Sequence, residues 1–203
     1  MWYARNAEFL TFKRVGFLSC FVLDKKDITF IFRGLVRLMS LIDFILTRRS
    51  VRLYEKKGIP EDMLSQILEA GRQAPSAVNK QPIRFVVVRD NELKKRFSSL
   101  PFNHFIEDAP AVIVGCADVD SLLTGKWAVV DVAVAMENMA LAAWTLGVGS
   151  CWIGAFDEEK VKDLLKIPSK WKVVALLTLG YPAELPKQRK KKPIEELFGF
   201  NSF

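Results

Sequence analysis

The segment that most limits how this chain can fold runs from residue 127 to residue 146. It is apolar almost all round, with Asp131, Glu137 and Asn138 as the exceptions. A helix without a polar face needs cover on every side, so it belongs at the centre of a protein, within one protomer or between two. Its length would suit a membrane span, but its charged side chains argue against one.

The flanking segments supply the cover. Residues 83–88, 111–117 and 172–179 have strand composition, and the second is so apolar that both its faces should be buried. Residues 58–71 read as a helix with Pro60 at its first position and acids in its first turn. Shorter helices are predicted over 91–99 and over 157–166, the latter capped by Asp157, and Ser40 can cap another through Leu46. The G-x-G at 147–149 ends the long helix. Without a third glycine or a preceding strand it does not make a dinucleotide-binding fingerprint.

At 203 residues, half of them apolar and 26% charged, the chain can build one sizeable core. Residues 1–40 fit that core poorly. Their apolar runs are split by Asp24, Lys25, Lys26 and Asp27, and neither run reaches the roughly 20 residues that cross a bilayer. We expect residues 1–38 to be an extension of uncertain role, or translated upstream sequence before a natural start at Met39, and residues 39–203 to be the working domain.

The net charge of +7 is local. Residues 1–40 contribute +4 and residues 187–192 contribute +5, leaving the rest at −2. A global nucleic-acid surface is therefore a weak reading, although the 187–192 run keeps a nonspecific anion-binding or nucleic-acid module open as the alternative function. Cys20, Cys116 and Cys151 stand far apart and are odd in number, which suits a reducing cytoplasm better than a disulfide framework. His104 is the single histidine and no nucleophile motif accompanies it, so a zinc site or a hydrolytic triad is disfavoured.

Four stretches carry chemistry. Arg48, Arg49 and Arg52 place three guanidinium groups within five positions around Ser50, donors suited to a phosphate. Residues 74–82, fixed by Pro75 and Pro82, offer Ser76, Ala77, Asn79 and Gln81. Their amides match the alternating donors and acceptors of a heterocyclic edge. Gly154 and Ala155 are small enough for a flat ring to approach the backbone. The tail adds Arg189 and Lys191 ahead of Pro193.

Taken together, R-R-S-V-R-x-Y, A-P-S-A-x-N-x-Q-P, G-S-C-W-I-G-A-F and the closing L-G-Y-P…K-x-R-x-K-x-P-I-E-E resemble the nitroreductase family of FMN-dependent oxidoreductases over residues 39–203. The resemblance implies an α+β fold, a central mixed sheet flanked by helices, in an intertwined homodimer with two FMN sites at the interface. Arg48, Arg49 and Ser50 would hold the phosphate, with Arg189 and Lys191 as a second set. Arg52 would sit near flavin N1 and O2. Pro75, Ser76, Ala77 and Asn79 would come from the partner subunit, with Gln81 nearby, and Gly154 and Ala155 would line the ring, the Gly154 N–H facing N5.

The implied chemistry is ping-pong. NADH or NADPH gives hydride to N5 and leaves, and a small electron-poor acceptor (a nitroaromatic, a quinone or a flavin) then takes it, with no catalytic side chain required. Many members carry an acid at the position of Gly154, a change that a backbone contact tolerates. The flavin-cleaving branch usually has an acid where Ser50 stands, which ranks that branch lower. Residues 102–105 do not follow the family pattern, so no role is carried over to Asn103 or His104.

Overall fold

Alternation of apolar side chains along the central strands builds one sheet with a core on each face. In the computed structural model, which describes residues 41–98 and 103–203, β1 (Ile83–Val88), β2 (Ala111–Asp118), β3 (Gly149–Ile153) and β4 (Trp171–Gly180) pair in the order β1-β2-β4-β3. Neighbouring strands are all antiparallel. Parallel pairing enters, among the described residues, at an isolated bridge between Ser50 and Ser150, and this is the extent of the mixed character expected of the sheet.

Ala111, Ile113 and Ala117 of β2 face one core with Ala175, Leu177 and Leu179 of β4, while Val112, Val114 and Cys116 face the other with Val173 and Leu176. The two-residue period, broken once in β4 where the register with β2 shifts at Gly115/Cys116, is the pleat of a sheet buried on both sides. The first face is covered by α2 (Glu61–Arg72) and α5 (Gly125–Thr145), which bring Leu64, Ile67, Val132, Met136 and Met139 to it. Phe97 of α3 (Asn91–Phe97), Ile106 of α4 (Phe105–Asp108) and Val161 of α6 (Glu158–Leu165) cover the second.

The chain divides into two units, residues 1–47 and 48–203. In the first, α1 (Leu41–Thr47) is described, its last turn closed by the Thr47 hydroxyl donating to the Asp43 carbonyl at 2.6 Å. The expected extension and the Ser40 cap lie outside the described residues.

The long helix is a core helix, as its composition predicts. It is long and apolar enough to cross a membrane by that measure alone, but Ala128, Val132, Ala135, Met136, Met139, Ala140 and Ala143 are buried. Trp127 and Val130 are about half exposed, so its apolar surface exceeds the cover that one chain gives. Two elements differ from the expectation. Residues 149–153 form an edge strand although Gly149, Ser150 and Cys151 lack β-branched character, because β4 offers a free edge. The four-residue α4 is too short for helical periodicity to show. Pro60 stands one position earlier than expected, as the N-cap of α2.

Candidate functional site

The basic stretch is laid against the β3 edge by main-chain bonds. The Val51 N–H donates to the Ser150 carbonyl at 2.9 Å beside the Ser50–Ser150 bridge. Val51 is fully buried, and Gly149 makes room for it: a Cβ there would meet Val51 Cγ2 at 2.6 Å. Further on, Tyr54 bridges to Pro182, Glu55 N–H donates to the Tyr181 carbonyl at 2.9 Å, and Ala183 N–H donates to the Leu53 carbonyl at 3.0 Å.

The buried Tyr54 hydroxyl locks the arrangement. It donates to the Val51 carbonyl at 2.7 Å, so its 2.6 Å contact with Thr178 must take the threonine hydrogen, for which the Cys151 carbonyl at 3.3 Å competes. Burial raises the Tyr54 pKa well above the usual phenol range, keeping this donor protonated.

With Val51 and Tyr54 inward, the polar side chains turn out. Arg48 Nε lies 3.6 Å from Glu137 Oε1 of α5, and Arg49 Nη1 donates to the Arg48 carbonyl at 2.9 Å. The Arg52 guanidinium stands 5.8 Å from the centre of the Phe105 ring. Arg52 and Arg48 both act on Cys151 of β3, whose thiol burial pushes up and these two cations pull part-way back. The positive field of the stretch thus reaches β3, the strand that leads to Gly154.

Gly154 and Ala155 form an exposed turn between two inward-facing neighbours, Ile153, which is 4% exposed, and Phe156, which packs against the second core. A Cβ on Gly154 would meet nothing within 4 Å, so the surface above it is open. An open, uncharged backbone segment at the end of the strand that the basic stretch borders offers a surface for a planar anionic cofactor. Behind the turn, the buried Asn103 donates from Nδ2 to the Ala155 carbonyl at 2.5 Å. No residue-level signal marked Asn103 beyond its being an amide between aromatic neighbours.

The amide-rich loop is held in an unusual conformation. Val78, Asn79 and Gln81 have φ of 47°, 56° and 53°. Such values are uncommon outside glycine and are most unfavourable for a β-branched valine. The loop is secured by Asp131 of α5, whose two oxygens accept from the Ala77 N–H at 3.2 and 3.4 Å. Ser76 Oγ accepts from the Gln81 N–H at 3.0 Å, and Gln81 Nε2 donates to Asn79 Oδ1 at 3.0 Å. Pro75, Asn79 and Gln81 are exposed.

This loop enters β1, one edge of the sheet, whereas residues 48–52 line β3, the other edge. Three strand spacings, about 14 Å, separate those edges. One chain therefore joins the basic stretch to the Gly154 turn, but it presents the amide loop from the opposite edge. Arg189 and Lys191 are exposed in the tail, beyond the last main-chain tie to the basic stretch at Ala183.

This arrangement has counterparts among known proteins. The pattern of the Nitroreductase family matches residues 45–111 and 98–181. An NADH dehydrogenase of Thermus thermophilus is 34% identical over 187 residues, covering 75% of this chain and 91% of the relative. An FMN reductase [NAD(P)H] of Bacillus subtilis is 28% identical over 180 residues, covering 77% and 71%. In structure, an FMN-dependent nitroreductase of Clostridium difficile superimposes with a TM-score of 0.69 at 30% identity, over 80% of this chain and 99% of that one. The chain belongs to the nitroreductase family, and its class is that of the flavin-dependent NAD(P)H oxidoreductases.

Proposed function

We propose that the chain is a homodimeric, FMN-dependent enzyme that passes hydride from NADH or NADPH to a small electron-poor acceptor in ping-pong order. The observation that carries this reading is the joint placement of the fixed cations and the open Gly154–Ala155 turn along β3. Bound FMN would supply the redox chemistry, accepting hydride from the nicotinamide and releasing it to a nitroaromatic, quinone or flavin acceptor.

The chain's own residues bind and orient. Arg48, Arg49 and Ser50 would hold the phosphate, and the main-chain ties at Val51 and Glu55 keep them in place before it arrives. Arg52 would face the electron-rich end of the ring, where a cation favours the negative charge that develops on reduction. The Gly154 backbone N–H would meet the reactive edge, a role for which the residue's lack of a side chain leaves room.

A second copy would complete the site. The amide loop, with Pro75, Ser76, Ala77, Asn79 and Gln81, lies on the far edge of the sheet, so the partner's loop is the natural source of these contacts. Exposed apolar surface supports pairing: Trp127 and Val130 on α5, Leu122 and Leu123 before it, and Leu197, Phe198 and Phe200 in the tail. Arg189 and Lys191 would add the second phosphate contacts. Initial-rate kinetics with varied nicotinamide and varied quinone tests the scheme. Parallel double-reciprocal lines are expected, and intersecting lines would exclude the ping-pong order.

A further inference from the structure

We infer that Asn103 is a positioning residue that sets the reduction potential of the bound flavin through the Ala155 carbonyl. The inference rests on the reading of Gly154 and Ala155 as the lining of the ring.

Asn103 is 4% exposed, and its Nδ2 lies 2.5 Å from the carbonyl oxygen of a residue 52 positions away. A buried amide donor left without a partner is costly, so this bond holds against loosening. Its acceptor lies in the exposed turn, where a carbonyl could otherwise swing to solvent. Ile153 and Phe156 fix the two ends of that turn in the second core. With the ends fixed and the Ala155 carbonyl pinned inward, the preceding peptide groups have little rotational freedom. The Gly154 and Ala155 N–H groups then keep one direction.

The same segment reaches the other proposed ring contact. Asn103 stands two residues before α4, its carbonyl accepting from the Ile106 N–H at 3.0 Å, and Phe105 at the start of that helix carries the ring that faces the Arg52 guanidinium. One short piece of chain therefore braces both groups assigned to the flavin, the donor expected at N5 and the cation expected at N1 and O2. Donors and positive charge fixed at those atoms favour the reduced, more negative ring. Releasing the Ala155 carbonyl would free the Ala155–Phe156 peptide group, let the negative end of its dipole turn towards the ring and loosen the preceding Gly154 and Ala155 N–H groups. Both changes lower the potential.

The test is the midpoint potential of FMN bound to the full chain and to Asn103→Leu, read by absorbance against a reference dye. FMN affinity and thermal midpoint are measured beside it. The variant should keep its FMN, and its oxidised-to-reduced ratio at a fixed dye potential should rise about tenfold, a fall of about 30 mV for a two-electron couple. A ratio within about twofold of the parent would overturn the proposal, whatever the change in thermal midpoint. Should Asn103→Leu not fold, Asn103→Ser, whose hydroxyl is too short to reach Ala155, serves in its place with the same two outcomes. Failure of the parent chain itself to bind FMN would overturn both this inference and the flavin reading beneath it. A flavin-binding parent with an unmoved variant would overturn this inference alone.

Discussion

Two basic runs in this chain look alike in composition and differ in almost every physical respect. Residues 48–52 carry three arginines, and residues 187–192 carry four lysines and an arginine. The first run is tied to the sheet by the Val51–Ser150 hydrogen bond, anchored by buried Val51 and Tyr54, and paired to Glu137. The second is exposed throughout, with Lys192 reaching Glu196 at 3.6 Å. A mobile cation loses side-chain entropy when it grips a ligand, whereas a cation on a braced backbone has met part of that cost on folding. Charge density alone would have ranked the tail first; fixation ranks the edge stretch first.

The largest effect should come from removing one arginine of each run. Each charge-assisted contact to a phosphate is worth about 1.5–3 kcal/mol. For Arg48→Ala with Arg189→Ala, the FMN dissociation constant should rise about 100-fold or more, with the dimer retained on a sizing column. Unchanged FMN retention would mean that the phosphate pocket lies elsewhere.

Loosening the brace while keeping the charges comes next. Tyr54→Phe removes the donor to the Val51 carbonyl and leaves that buried acceptor unpaired, so it should cost about 1–3 kcal/mol of stability by denaturant titration. FMN affinity should fall with it, since Arg48 to Arg52 would lose their fixed backbone. If stability falls and FMN affinity does not, bracing is irrelevant to binding.

High pH should weaken the fold around the same brace, through buried groups on β2, on β3 and at Tyr54. Burial holds the Cys116 thiol up at about 11, against an ordinary value of 9.0, and raises Cys151 and Tyr54 as well. Over that window the folded chain keeps protons that the unfolded chain gives up, so stability should fall as pH rises from about 9 towards 11. A flat thermal midpoint across this range would contradict the burial of these groups.

The smallest effect is expected from Lys190→Gln with Lys192→Gln. Stability should move by less than about 0.5 kcal/mol, as for other exposed charges. Affinity for a single-stranded oligonucleotide should stay weak and salt-sensitive in parent and variant alike. Tight oligonucleotide binding that the substitutions abolish would favour the nucleic-acid alternative.

What could be read from sequence followed the strength of the local signal. The long helix, the apolar strand at Ala111 and the Asp157 cap announced themselves by period and composition, and they stand as expected. The strand at Gly149 did not, because its pairing is conferred by β4 and not by its own residues. The family motifs marked which residues to watch, but not the reasons they hold still. Those reasons are tertiary: the Tyr54 hydroxyl against Thr178, the Asp131 carboxylate under a loop with three positive φ angles, and Asn103 beneath Ala155. Each joins segments tens of residues apart, beyond the reach of any local pattern.

The most direct test of the central claim is a visible absorbance spectrum of the purified chain supplied with FMN and freed of excess, taken before and after NADH or NADPH is added. A yellow protein whose flavin band bleaches on addition of nicotinamide is the predicted result. A colourless protein that cannot be reconstituted with FMN would contradict the account.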